Sequence, residues 1–424
     1  MILSVVLHAL LAQASQGPQE PLMNHGRPDA KAISTPLFAS LERLARLVDT
    51  TYCLGSTGIH RPFDCLSRCK EFPEMRLATT WSTGILFGDN CGFIAVDHSR
   101  GQQQWPGPGP GPGAGPGSGR VADAQGAIVV AFRGTYSIAN TIYDLATLPQ
   151  KYVPYPSPDH GGGGAPPDKP SHSCDNCTVH MGFLHSWRNA RRVVLPELRR
   201  LRAAHPGFPV HLVGHSLGGA VACLAALELR VSLGWEDVWA TTFGEPRVGN
   251  GQLARFVDDV FALGGAGEGA DPERSRYRRV THAGDPVPLL PPTELGFRSH
   301  AGELFIAKAD LAPGEGDVLL CAGDEDPRCS AGADESVVVR DALGRLSLFA
   351  RAGLPAPAPA SAPVSLDEDP AGLGAQRSWG LPARLRLWQI LFAHRDYFWR
   401  LGLCIPGGDP SNWGRAPDAP KSQE

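Results

Sequence analysis

The chain has 424 residues, a net charge of −4 and only 19% charged residues. That length holds one large domain or two ordinary ones, and the sparse charge supplies no basic surface for a nucleic-acid partner. Glycine (50) and proline (39) are abundant but clustered, which points to soft inserts in a folded chain rather than to a disordered one.

Ile2 to Leu11 is a short apolar stretch followed by Ala12-Gln13-Ala14, a small-x-small cleavage signal. Residues 1–14 therefore read as a signal peptide and the chain as secreted. The stretch is too short to span a bilayer, and no later one is long and apolar enough for a transmembrane helix. Residues 15–34 form a polar leader. Thr35 then reads as an N-cap and Pro36 as the first residue of a helix. Its apolar positions Phe38, Leu41, Leu44 and Val48 recur at helical spacing up to Tyr52. Short β-like runs follow between Thr79 and Asp97, including Phe93-Ile94-Ala95-Val96. A Gly/Pro block near 102–120 separates them from Ala127 to Phe132, the unbroken apolar run of a strand covered on both faces. A second soft insert lies near 158–172.

Phe183 to Ala204 reads as an amphipathic helix carrying Leu184, Trp187, Leu195, Leu198 and Leu201, with Pro196 expected to kink it. Val210 to Val213 is the next buried strand. Leu217 to Val231 is helical, with Gly218, Gly219, Ala220 and Ala222 in its first turns. Val238 to Phe243 and Tyr277 to Thr281 are further strands, and two more inserts lie near 262–274 and 353–378. After Cys404 no core pattern remains, so 406–424 reads as a flexible tail. The alternation of strands and helices argues an α/β fold with a mostly parallel central sheet and flanking helices, and the lack of repeats argues one domain over 35–405.

The ten cysteines fit an exported chain. Cys65 with Cys69, Cys174 with Cys177, and Cys321 with Cys329 are close pairs of the disulfide kind. The CxxC at 174–177 has no second CxxC or paired histidines at finger-like spacing, which argues against zinc. Asn176-Cys177-Thr178 is a glycosylation sequon placed across the second pair.

Gly214-His215-Ser216-Leu217-Gly218 fits G-x-S-x-G, with a buried strand before it and a small-residue helix after it. The glycines suit a strained turn that holds a serine out, and the helix N-terminus favours developing negative charge. Such a serine needs a base, and the base needs an acid. In this arrangement the acid and then the base follow the serine in sequence. Asp285 lies just past the Tyr277 strand, at the end of the sheet that carries chemistry. Asp258, Asp259 and Asp271 are rivals in a helix-like stretch or an insert. His282 is close to Asp285 for bridging to Ser216, and spacing alone does not separate His300 from His394.

The ordered motifs Phe132-Arg133-Gly134-Thr135, Val179-His180-Met181-Gly182-Phe183, Gly214 to Ala220, Thr242 to Asn250, Arg279 to His282 with Asp285 to Pro288, and His394 with Tyr397-Phe398 and Gly402-Leu403-Cys404 carry a resemblance. The chain resembles the fungal class 3 lipase family, the filamentous-fungal triacylglycerol lipases, which is related to feruloyl esterases. The resemblance spans roughly Thr35 to Cys404 and implies an α/β-hydrolase fold with a helical lid. It implies a triad of Ser216, Asp285 and His394, and an oxyanion hole from Thr135 and Leu217. It implies the pairs Cys53–Cys404, Cys65–Cys69 and Cys174–Cys177. Cys321–Cys329 is an extra pair found in some relatives, and Cys91 and Cys223 are left over. The lid would follow Thr135, where Ile138, Ile142 and Leu145 share one helical face suited to acyl chains at a lipid–water interface. The chain departs from the family in its inserts and in the long stretch from Asp285 to His394.

These readings imply a serine ester hydrolase that needs neither metal nor cofactor, acting as a monomer on a lipid or ester substrate. The polar lid residues Asn140, Thr141, Tyr143 and Asp144 keep open a carbohydrate-linked ester hydrolase of the feruloyl esterase kind. An inactive binding protein on the same scaffold would be expected to lack a member of the triad.

Overall fold

The computed structural model describes residues 33–83, 90–99, 126–135, 149–152, 174–263, 275–332 and 392–415. The signal peptide, most of the leader, the lid face of Ile138, Ile142 and Leu145, and the bulk of the four inserts lie outside them.

Among the described residues the largest sheet has eight strands, and their spatial order follows the chain. They are β1 (Met75–Ser82), β2 (Cys91–Asp97), β3 (Ala127–Phe132), β4 (Val210–His215), β5 (Val238–Phe243), β6 (Tyr277–His282), β7 (Glu303–Ile306) and β8 (Val318–Leu320). Strands β3 to β7 pair in parallel, while β1, β2 and β8 pair antiparallel at the two edges. The apolar runs noted at 93–96, 127–132, 210–213 and 238–243 lie in strands in which every residue is buried, as every residue of β6 also is. Both faces of a parallel sheet are covered, so such strands have no polar side to alternate with.

Strand geometry divides those residues between two cores. Ile128, Val130 and Phe132 pack with α2 (Met181–Ala204), α3 (Leu217–Leu227) and α4 (Gly251–Phe261). Val129, Ala131 and Val213 face the opposite way, onto α1 (Thr35–Thr50). In α2 the stripe Phe183, Leu184, Trp187, Ala190, Val194, Leu195, Leu198 and Leu201 is buried, as its amphipathic pattern predicts. In α3 every residue from Gly218 to Leu227 is buried, because this helix lies between β4, β5 and α2.

Two helix boundaries differ from the sequence expectation. The N-cap of α1 is Ser34, whose hydroxyl accepts from the Leu37 N–H at 3.2 Å, so Thr35 already belongs to the helix. Both residues are good caps, and Pro36 suits either register. Pro196 lies inside α2, which is one continuous helix across it. The helix after Ser216 ends as α-helix at Leu227 and continues as a wider π turn over Glu228–Ser232.

The C-terminal segment is strapped to α1 and not loose. Trp399 Nε1 donates to Glu42 Oε1 at 2.7 Å, the Gly402 N–H donates to Asp49 Oδ1 at 2.7 Å, and Cys53 is bonded to Cys404. The expectation of a flexible tail from 406 fails over residues 406–415. Arg395 meets Asp409 at 2.9 Å, and Asn412 exchanges two hydrogen bonds with the Arg400 backbone. Its anchors are polar, so an apolar pattern does not reveal them. The other expected pairs, Cys65–Cys69, Cys174–Cys177 and Cys321–Cys329, are also bonded, and Cys91 and Cys223 are buried thiols.

Candidate active site

Ser216 sits between β4 and α3 with φ 57° and ψ −130°. A side-chain-bearing residue occupies such a backbone region only when its surroundings impose it. Two glycines make the turn possible. A Cβ on Gly214 would lie 2.2 Å from Gly218 O, and one on Gly218 would lie 2.4 Å from Phe132 O. Both obstacles are backbone, so no rotamer change relieves them. The Ser216 N–H donates to Phe243 O at 2.9 Å, which ties the elbow to β5. The result is a serine 2% exposed, at the N-terminus of a helix whose dipole favours negative charge beside it.

Asp285 lies just past β6, and His394 lies in the strapped C-terminal segment. His394 Nδ1 is 2.9 Å from Asp285 Oδ2 and 3.0 Å from Oδ1. The Tyr397 hydroxyl also donates to Oδ2, and the Val287 N–H donates to Oδ1 at 2.9 Å. Burial alone would raise the carboxyl pKa of Asp285. The His394 ring and these donors outweigh it and hold the group below its ordinary value. An ionised carboxylate only accepts, so His394 carries its proton on Nδ1 and presents the lone pair of Nε2. Ser216 Oγ and His394 Nε2 are both buried, and neither has a hydrogen-bond partner among the described residues. Elsewhere in a core such orphans are costly; here they are the two atoms a reaction would use.

Residues that the sequence pattern did not single out support this pair. His215 Nε2 is 2.8 Å from the His394 carbonyl oxygen, and its Nδ1 is 2.5 Å from the Tyr52 hydroxyl. Burial and the neighbouring His394 push the His215 pKa down to about 3. The ring is therefore neutral, donates from Nε2 to the carbonyl, and accepts at Nδ1 from Tyr52. The two imidazoles lie 4.7 Å apart between centroids, and both ring nitrogens of His215 are committed to partners while His394 Nε2 has none among the described residues. A Cβ on Gly134 would lie 2.6 Å from the Tyr52 hydroxyl and 2.9 Å from Ser216 Cβ. The Arg133-Gly134 turn thus runs directly against the serine, and Thr135 follows it. Leu217 is the first residue of α3.

The histidines left open by spacing separate here. His282 Nδ1 lies 3.1 Å from the Ala393 carbonyl oxygen and so contacts the backbone beside His394. His300 Nε2 lies 3.0 Å from Glu245 Oε1 in a different cluster. Tyr277 donates to the other oxygen of Glu245 at 2.7 Å, and Cys223 completes the group. Burial, and then Glu245, keeps the Cys223 thiol protonated by raising its pKa. The rival acid Asp258 accepts from the Ala301 N–H at 2.8 Å and is committed to backbone. Tyr397 falls within a motif read for family likeness, and the strong hydroxyl contact to Asp285 is a role that the motif's spacing does not disclose.

Comparison with known proteins gives this geometry a family. A model for "Lipase (class 3)" matches residues 129–295, which include Ser216, Leu217 and Asp285. A protein named secreted mono- and diacylglycerol lipase 2 from Gibberella zeae is 54% identical over 96% of this chain and 91% of its own. Lipase A of Sodiomyces alcalophilus is 55% identical over 98% of this chain and 95% of its own. The crystal structure of the Lip2 lipase of Yarrowia lipolytica superposes with a TM-score of 0.61 at 24% identity, covering 89% of this chain and 99% of that one, and so shares the fold. With more than half of its residues identical to those of two such enzymes over nearly its whole length, the chain belongs to the fungal class 3 lipase family and is a secreted carboxylic-ester hydrolase.

Proposed function

We propose that the protein is a triacylglycerol lipase that cleaves acyl esters through a covalent acyl-enzyme at Ser216. The observation that carries this reading is the Asp285–His394 pair: Nδ1 is committed to a buried carboxylate, and Nε2 and Ser216 Oγ have no partner among the described residues. In the first step Nε2 takes the hydroxyl proton as Oγ attacks the ester carbonyl. Asp285 stabilises the imidazolium that forms. The oxyanion is met by backbone N–H groups of Thr135 and Leu217, each worth on the order of 3 kcal/mol. His394 then protonates the leaving alkoxide, and water hydrolyses the acyl-enzyme by the same route.

The relative from Gibberella zeae is named for mono- and diacylglycerols, so partial glycerides are expected among the substrates. The apolar face of Ile138, Ile142 and Leu145 would cover the site in water and turn towards acyl chains at a lipid–water interface. The enzyme would act there as a monomer, with residues 35–405 as one catalytic unit. The Cys53–Cys404 bond and the strap on α1 support that unit.

The test compares wild type with Ser216→Ala on triacylglycerol and diacylglycerol emulsions, varied through the solubility limit, with methyl ferulate in parallel. A rise in rate at the interface that Ser216→Ala abolishes is the expected result. Cleavage of methyl ferulate with the emulsions ignored would replace the lipase reading by a plant-wall-type esterase. Full activity of Ser216→Ala would remove the nucleophile assignment itself.

A further inference from the structure

Asn176-Cys177-Thr178 is the one Asn-x-Ser/Thr sequence in the 424 residues. The site described above makes no use of it. Cys174 and Cys177 are bonded, which makes Asp175 and Asn176 the exposed tip of a tight loop. Asn176 has φ 57°, a left-handed turn that asparagine tolerates well. The loop backbone is held from behind. Asn250 Nδ2 donates to the Asn176 carbonyl oxygen at 2.9 Å, while Asn250 Oδ1 accepts from the Thr178 N–H at 3.0 Å and the Leu253 N–H at 3.1 Å. One asparagine therefore caps α4 and fixes the loop. The Asn176 carboxamide itself makes no hydrogen bond among the described residues, so nothing in the fold consumes it.

A cleft of about 240 Å³ opens beside this tip, lined by the two cysteines, Asp175, Gln252, Arg255, Phe256 and Asp259. Two carboxylates, a guanidinium and a carboxamide are donors and acceptors for hydroxyl and N-acetyl groups, and an aromatic ring suits the apolar face of a sugar. The polar groups of this lining find partners in a sugar that an acyl chain does not offer.

We propose that Asn176 is N-glycosylated and that the first sugar of the glycan packs in this cleft. The donor is a lipid-diphosphate-linked oligosaccharide of the secretory pathway. The carboxamide nitrogen bonds to the anomeric carbon, the anomeric C–O bond to the diphosphate breaks, and the amide proton leaves with the lipid diphosphate. The folded loop is too constrained to enter a transferase, because the sequon's middle residue, Cys177, is disulfide-bonded and Thr178 lies in a strand, paired with Lys151. Transfer therefore precedes closure of Cys174–Cys177, and the two reactions compete for the nascent chain.

The test expresses the full chain with its own leader in a secreting yeast. It reads intact mass and maps the site after glycosidase release in heavy-oxygen water, which labels the deglycosylated position. The wild type is expected to carry one N-glycan, lost in Asn176→Gln and in Thr178→Ala and kept in Thr178→Ser. Cys174→Ser, which leaves the sequon intact but removes the competing bond, should raise occupancy. Release from native protein should be at least several-fold slower than from denatured protein, and Gln252→Ala with Arg255→Ala should narrow that gap. A wild-type mass equal to the bare polypeptide, with Asn176→Gln and Cys174→Ser also unglycosylated, overturns the proposal. Equal release from native and denatured protein overturns the seating of the sugar in the cleft.

Discussion

Replacing Asp49 with asparagine should make the protein more stable at neutral pH, although it removes a charged partner from the strap that carries His394. Asp49 is fully buried; its Oδ1 accepts from the Gly402 N–H at 2.7 Å, and Arg68 Nε is 3.6 Å from Oδ2, too far for a hydrogen bond. Burial is the largest influence on this carboxyl and raises its pKa to about 7, against the partial relief from Gly402 and Arg68. In the unfolded chain it titrates near 4. Between those values the folded state holds a proton that the unfolded state has released, so stability falls as pH rises through that window. At about 1.4 kcal/mol per pH unit, the gap from about 4 to about 7 comes to roughly 4 kcal/mol. Asparagine keeps an oxygen for the Gly402 N–H and carries no charge, so Asp49→Asn escapes this loss. Chemical denaturation of wild type and variant at matched pH values from 4 to 8 measures the difference. The other titrating groups, His211 and His215 among them, cancel in the subtraction. The stability of the variant relative to wild type should climb by several kcal/mol from pH 4 to pH 7 and then level off. A difference that stays flat, or that falls with pH, refutes the reasoning.

Tyr397→Phe keeps the buried ring but removes one charge-assisted donor from Asp285. It should cost about 1.5–3 kcal/mol and lower kcat, and thermal melts should show acid unfolding moving to higher pH as the Asp285 pKa rises. Gly218→Ala drives a Cβ to 2.4 Å from Phe132 O and 2.8 Å from Arg133 O. The turn before Thr135 must shift, and kcat/KM on a soluble ester should fall about 100-fold, the scale of one lost oxyanion donor. Joint replacement of Cys53 and Cys404 by serine frees the strap, and calorimetry should record a loss of about 2–5 kcal/mol. Unchanged melting of that double variant would mean that Trp399, Asp49 and Asn412 hold the segment unaided.

The strands were legible because β2 to β5 each carry a mostly apolar run and are buried at every residue, as a sheet covered on both faces demands. The elbow was legible because its glycines, serine and flanking elements form one short motif, although only Gly214 answers a local crowding and Gly218 answers the backbone of β3 at Phe132. The choice among His282, His300 and His394 was not legible from spacing, because contacts far apart in sequence decide it. Asp285 and His394 are 109 residues apart, and the strap that brings them together is anchored by Glu42 and Asp49 of α1 and by Cys53 just after it. Family likeness supplied the proposal of His394, which lies 2.9 Å from Asp285. Tyr52 and His215 were missed for the same reason. A tyrosine at the end of a helix and a histidine in a buried strand carry no local signal of a hydrogen bond that spans 163 residues. The docking of residues 406–415 was missed because two polar side chains, Asp409 and Asn412, hold it.

Covalent trapping of Ser216 tests the central claim most directly. The enzyme would be treated with an alkylphosphonate ester that mimics the tetrahedral intermediate, digested and mapped by mass spectrometry, beside His394→Ala and Asp285→Asn. The account predicts one adduct on Ser216 that tracks loss of activity, with labelling slowed at least about 100-fold in His394→Ala, where the base of the triad is gone. An adduct on another residue, or full labelling of His394→Ala at the wild-type rate, would contradict it.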